Sequence, residues 1–172
     1  CHNPFRNSII IEDIKKSIEE GRTPIVLTER LEHLKILNES LKKLDASVII
    51  YKGNMGKKKT KEIQDIIKNA DENNKSRIIL ATSNSVGEGF DDSRLDTLFL
   101  TMPVSWKGRV IPYVGRLHRE HEGKEKVIVY DYLDNMKVLV KIYNRRVQGY
   151  VISGYERIEE EEFMKILLFG IT

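Results

Sequence analysis

Cysteine is almost missing from this sequence, with one in 172 residues. A single thiol excludes an internal disulfide and suits a reducing compartment. Long apolar runs are missing as well. None approaches the roughly 18 residues that would suggest a membrane span, and no signal-peptide pattern is visible. The expectation is a cytoplasmic protein with no membrane partner. Charge of one sign is not in large excess either: 29 Lys and Arg stand against 26 Asp and Glu, a net charge of +3. So small a surplus neither demands a nucleic-acid partner nor excludes one, because a local patch outweighs the sum. Metal-ligand clusters are sparse. His118 and His121 have a helical spacing and Cys1 adjoins His2, but a structural zinc site wants four well-spaced ligands. No metal site is expected. The chain opens on Cys1 rather than Met, which is read as a piece of a longer protein.

What is present is an alternation. Short apolar runs at 24–28 (PIVLT), 47–51 (SVIIY), 77–82 (RIILAT), 95–101 (LDTLFLT) and 126–132 (KVIVYDY) read as strands. Several are apolar throughout, as parallel strands must be when helices cover both faces of a sheet. Helical patterns lie between them. IIIEDIKKSIEEG stops at Gly21, and ERLEHLKILNESLKKL places Leu31, Leu34, Leu37, Leu41 and Leu44 on one face. KKKTKEIQDIIKNA follows, and DNMKVLVKIYNRRVQG is expected to end at Gly149 as a C-cap. The pattern predicts one three-layer α/β domain over residues 1–172 with a mostly parallel sheet, and an extra edge segment over 150–172.

In such a sheet ligands bind beyond the carboxyl ends of the strands. Two segments there carry chemistry. ATSNSVGEGFDD (81–92) leaves a buried strand and offers Gly87 and Gly89, followed by Asp91 and Asp92. Glycines let backbone N–H groups approach a phosphate closely, and a carboxylate accepts from ribose hydroxyls. A polar turn that needs glycine would look the same. VIPYVGRLHRE (110–120) sets Arg116 and Arg119 three residues apart. On one helix they would project together and bracket a phosphate, a task that suits the permanent charge and planar fork of arginine. A solvated helix face is the plainer reading. Lys57, Lys58, Lys59 and Lys61 form a basic run after the second strand, either solvated or laid against a phosphate backbone.

Taken together, Glu88–Gly89–Phe90–Asp91 and, beyond a strand, Gly115–Arg116–x–x–Arg119 resemble motifs V and VI of superfamily 2 helicases. TPIVLTERLEHLKIL resembles motif IV, and YKGNMGKKK the strand and glycine loop called motif IVa. The resemblance covers most of the chain. It is nearest to the C-terminal RecA-like domain of type I and type III restriction-enzyme helicase subunits and related bacterial DEAD/DEAH-type helicases. One position departs: Pro112 stands where the motif VI pattern Q-x-x-G-R-x-x-R has its glutamine.

The resemblance implies an ATP-dependent helicase or translocase, with ATP and Mg2+ bound mainly by an N-terminal RecA-like domain of the same parent chain. Gly87, Gly89 and Asp91 would line the nucleotide, Asp91 toward the ribose. Arg116 and Arg119 would act on the transferred phosphoryl group. Thr28, Arg30, Gly53 and Thr82 would touch the backbone of a nucleic acid, with DNA the first expectation. The other half of such a site is absent from the sequence. GNMGKKKT has the wrong glycine spacing for a P-loop and lacks Ser or Thr after Lys57, and Asp131 ends a strand without an adjacent Glu. The isolated chain is therefore expected to fold without hydrolysing ATP. Two rivals remain: a nucleic-acid binding module without catalysis, and a helicase-like scaffold that has lost turnover.

Overall fold

The chain's apolar runs and amphipathic stretches resolve into twelve elements in a computed structural model. It describes residues 3–53, 55–69, 76–83, 85–86, 90, 92–104, 110–134, 136–158 and 166–171. In chain order these are α1 (Pro4–Glu19), β1 (Pro24–Thr28), α2 (Leu31–Leu41), β2 (Ser47–Tyr51), α3 (Gly56–Asn69), β3 (Arg77–Thr82), β4 (Thr97–Leu100), α4 (Ile111–Leu117), β5 (Val127–Tyr132), α5 (Lys137–Ile152), β6 (Glu156–Ile158) and β7 (Ile166–Ile171). The strands make one sheet in the order β2-β3-β1-β4-β5-β7-β6. The first five are parallel. β7 runs antiparallel to both β5 and β6.

Every position of β1, β3, β4 and β5 is buried, because alternate residues of each strand enter two different cores. Val26, Ile78, Leu80, Phe99 and Ile128 face α1 and α2, meeting Ile10, Ile14, Leu34, Leu37 and Leu41. Ile25, Leu27, Ile79, Leu98 and Val129 face the other way, toward Ile63 and Ile67 of α3, Tyr113, Val114 and Leu117 of α4, and Tyr143 and Tyr150 of α5. The result is the three-layer α/β arrangement expected. Each fully buried aliphatic side chain contributes about 1.5–3 kcal/mol. Phe99 and Tyr130 are register partners on β4 and β5 and stack with ring centroids 4.3 Å apart.

Several boundaries differ from the pattern. α1 begins a turn earlier, at Pro4, because Asn3 caps it: the Asn3 side chain accepts from the Arg6 N–H at 3.1 Å. Leu31, expected on the buried face of α2, is exposed, and Leu44 lies beyond the end of that helix. Gly149 does not end α5. The packing of Tyr143, Arg146 and Tyr150 carries the helix on to Ile152, and Gly154, with φ 84°, makes the turn. The tail supplies the two strands β6 and β7. β6 is the edge, while β7 lies between it and β5.

Candidate functional site

The carboxyl ends of the strands were expected to gather all the ligand contacts. Thr28 and Thr82 do meet there as register partners on β1 and β3. Their side chains, however, are turned to the protein. The Thr28 hydroxyl is buried 3.0 Å from His33 Nδ1, and His33 Nε2 lies 3.1 Å from Asn7 Oδ1, so the triad joins β1, α2 and α1. The Thr82 hydroxyl donates to Ser85 Oγ (3.1 Å), and the Ser85 hydroxyl reaches the carbonyls of Tyr51 (2.8 Å) and Thr82 (2.6 Å). These threonines hold the loop ends in place. Arg30 and Gly53 are exposed at the same rim, Arg30 at the start of α2 and Gly53 just past β2. Lys58, Lys59 and Lys61 are exposed along the opening of α3. The rim thus offers cations and a bare glycine over a floor of satisfied hydroxyls.

The glycine segment after β3 falls largely outside the described residues: Gly87, Glu88, Gly89 and Asp91 do so. Its closing residues Phe90 and Asp92 are described. Phe90 is buried and tilts against Tyr51 with centroids 5.0 Å apart. Asp92 is buried and takes two arginines, Arg77 Nη2 at 2.7 Å and Arg94 Nε at 3.0 Å. Both guanidinium groups also donate to the Ile67 carbonyl near the end of α3. Since Arg77 opens β3, the segment that leaves the carboxyl end of that strand has returned to its amino end by Asp92. The second aspartate of the pair is an anchor.

α4 and the turn after it are tied to residues on either side of that segment. At its start the Tyr113 hydroxyl donates to the Ser83 carbonyl. At its end the Lys124 ammonium donates to the carbonyls of Leu117 (2.9 Å), Arg119 (2.7 Å) and Ser93 (2.6 Å). The two ends of the glycine segment are therefore tied to the two ends of the arginine segment. Arg116 and Arg119 do not share a helical face as the spacing predicted. The helix stops at Leu117, His118 is its C-cap, and Arg119 stands in the following turn with its N–H on the Arg116 carbonyl at 3.3 Å. Arg116 is half-buried, with Nη1 3.4 Å from the Pro112 carbonyl, and Arg119 is exposed. The candidate residues thus fall into two groups, a rim at the strand ends and a flank along α4 that leads toward the strands' amino ends.

Electrostatics separates this flank from its surroundings. Burial lowers the Lys124 pKa, and the charges of Asp96 and Asp92 oppose that. Burial, and then the charge of Lys124, lowers the pKa of His118, whose ring stands edge-on to Tyr155 at 5.3 Å. The strand-ending Asp131 is no water-positioning acid. It is fully buried and clasped by Arg146 through two bonds of 2.6 and 2.7 Å, with Tyr150 Oη at 3.0 Å. Burial would lower the Arg146 pKa, but the hydrogen bonds and charge of Asp131 outweigh it and raise it. Among the described residues no group of three or more His, Cys, Asp or Glu is placed to hold a metal ion. No described helix is long and apolar enough to cross a membrane. Sequence reasoning missed Tyr113 and Lys124. The former reads as a core aromatic and the latter as one more charge in HREHEGKEK.

No protein-family model matches the chain. It is 27% identical over 158 residues to "Putative helicase 161L" of Invertebrate iridescent virus 6, a match covering 88% of this chain and 34% of that protein. It is 31% identical over 85 residues to "Uncharacterized protein 108L" of Invertebrate iridescent virus 3, covering 49% of this chain and 77% of that protein. The chain thus spans about a third of the viral helicase's length. Among solved structures, T4 UvsW superposes over 86% of this chain and 32% of its own, with TM-score 0.62 and 23% identity. The C-terminal domain of S. cerevisiae Dbp5 covers 89% of this chain and 82% of its own, with TM-score 0.58 and 16% identity. The helicase domain of Pyrococcus furiosus Hef covers 72% of this chain and 25% of its own, with TM-score 0.51 and 25% identity. The chain belongs to one family with protein 108L, and its fold is the RecA-like fold of helicase domains.

Proposed function

We propose that this chain is the C-terminal RecA-like domain of an ATP-dependent helicase or translocase, completed by an N-terminal RecA-like domain of the same parent protein. The observation that carries the reading is the double tie between the glycine segment and the arginine segment: Tyr113 on Ser83 at one end, Lys124 on Ser93 and Arg119 at the other. A nucleotide clamped between two domains needs ribose contacts and phosphate contacts on one continuous surface, and these ties hold the two segments together. Arg116 and Arg119 supply the charge that suits a phosphoryl group in transfer, where catalysis is positioning and electrostatics. Gly87, Gly89 and Asp91 would take the sugar and adjacent phosphates. Magnesium would neutralise charge on the phosphates. Its ligands are assigned to the N-terminal domain, because the described donor set here is basic. Arg30, Gly53 and the lysines of α3 would follow a nucleic-acid backbone without reading sequence. Thr28 and Thr82 would shape that track through their backbone positions. DNA is proposed as the substrate. The sequence relatives are viral, and they lend nothing to the restriction-subunit likeness.

The deciding experiment is Arg119→Ala in the full-length parent. Nucleic-acid-stimulated ATP hydrolysis should fall by about 10³–10⁵, the usual range for an arginine finger, while single-strand binding without nucleotide is retained. A finger acts on charge that develops in the transition state, so kcat suffers more than ground-state affinity. Arg119→Lys should rescue poorly, since a point charge cannot reproduce the planar fork. Weakened nucleic-acid binding with turnover intact would make the chain a binding module.

A further inference from the structure

We infer that Lys124 is a positioning residue for Arg119, holding the backbone turn that carries it against Ser93. This rests on the proposed role of Arg119. An ammonium carries three donors and no acceptor, and here each donor has a carbonyl: Leu117 at 2.9 Å, Arg119 at 2.7 Å and Ser93 at 2.6 Å. Two of these belong to the arginine segment and one to the end of the glycine segment. The last carbonyls of a helix have no intrahelical partner, and a cation near them is also favoured by the helix dipole. Lys124 therefore does for the end of α4 what a further turn of helix would have done, and it pulls that end onto Ser93.

The geometry explains why Arg119 can be exposed and still be placed. It stands beyond the end of the helix, and its backbone is held by the 3.3 Å bond from its N–H to the Arg116 carbonyl and by the bond from Lys124 to its own carbonyl. The chain returns to Lys124 through Gly123, whose φ of 81° is a left-handed conformation that glycine adopts without strain. The Lys124 N–H donates to the His121 carbonyl at 3.1 Å, which closes that return. The first three tied carbonyls span Ser93, at the far side of Asp92 and its arginines, and Arg119. A displacement of the glycine segment would move the arginine with it. Displacements of about 1 Å in a positioned catalytic group cost on the order of 10²-fold in rate.

The test uses the full-length parent, read as nucleic-acid-stimulated ATP hydrolysis with kcat and KM separated. Lys124→Met should lower kcat by about 10–100-fold with the KM for ATP held within about twofold, since it displaces a transition-state contact and leaves ground-state contacts in place. Lys124→Arg, whose fork can reach two of the three carbonyls, should recover part of the loss. Single-turnover rates of Arg119→Ala with and without Lys124→Met should be the same, because a residue that acts through Arg119 has nothing left to position. Wild-type kcat in Lys124→Met, or multiplicative losses in the double variant, would overturn the inference. If Lys124→Met fails to fold, the reading passes to Lys124→Arg, where a reduced kcat at unchanged KM supports the role and wild-type kcat sinks it. Should Arg119→Ala itself leave turnover intact, the functional reading fails first and the inference with it.

Discussion

Arg146 and Arg119 are the same residue in opposite circumstances. Arg146 is buried to 1% exposure, forked onto Asp131 and bonded to the Val104 carbonyl at 2.9 Å. Arg119 is exposed in a turn, and the bond that matters at 119 is made by its carbonyl rather than its guanidinium. In the first case the backbone is held by α5 and the charge is spent on the fold. In the second the backbone is held by a neighbouring side chain and the residue is exposed in a turn. The comparison separates an arginine that stabilises the fold from one that, under the proposed function, meets a phosphoryl group.

The same substitution at the two positions gives the largest contrast. Arg146→Met strands the Asp131 carboxylate in a dry interior, and losing one partner of a buried pair costs about 3–5 kcal/mol. Denaturant unfolding of the purified chain should show it as a lowered midpoint. Replacing both partners, with Asp131→Leu beside Arg146→Met, should restore part of the loss, because an apolar pair carries no desolvation penalty. Arg119→Met should change unfolding by no more than about 0.5 kcal/mol, as exposed substitutions do, while abolishing turnover in the parent. Equal destabilisation by both would erase the distinction.

β1 and β3 were readable because burial on both faces forces continuous apolar runs, and they fall on the predicted residues 24–28 and 77–82; β2, a partly exposed edge strand, still carries an apolar run and falls on 47–51. The resemblance named candidate motifs. What it did not locate was their arrangement. The rule that ligands sit beyond strand ends describes where Arg30 and Gly53 stand, but the arginine segment lies along a flank, tied to Ser83 at one end and to Ser93 at the other. Tyr113 and Lys124 were illegible for a simpler reason: their partners are backbone carbonyls, which every residue has, so no pattern marks them. The pairing of β7 with β5 joins Val127 to Ile171 across the α5 helix, a long-range choice that local periodicity does not encode. Gly149 misled because a glycine inside a helix costs only about 1 kcal/mol, less than the packing around it supplies.

A gentler contrast concerns Asp96, at the amino ends of the strands. Burial raises its pKa, against the opposing charge of Arg22 and its hydrogen bonds to Thr97 and Thr23. A folded pKa above the unfolded one means stability that is full below the ordinary aspartate range and lost as pH rises through the folded value. Ionised Asp96 is thus a standing cost at neutral pH. Asp96→Asn keeps an oxygen to accept from the Thr23 N–H, which lies at 3.0 Å, and removes the charge. Its stability relative to wild type should improve from acid toward neutral pH in parallel unfolding series. An advantage that shrinks as pH rises would show that Arg22 wins after all.

A small expected gain in stability tests the flank most directly. Gly115 sits inside α4, and a Cβ added there would meet nothing within 4 Å. Its backbone is not left-handed, so neither conformation nor crowding within the chain asks for glycine. Alanine should then stabilise the isolated chain by about 0.5–1 kcal/mol, the ordinary gain in a helix interior. If the open space over Gly115 is where nucleotide or the N-terminal domain approaches, Gly115→Ala in the parent should lower turnover even as the unfolding midpoint of the chain rises. A methyl group is small, so Gly115→Val should lower turnover further while forgoing the stability gain, because a β-branched residue loses side-chain freedom in a helix. Turnover that stays at the wild-type level in both variants would mean that nothing approaches this face of α4, and the arginines beside it would have to act from another direction.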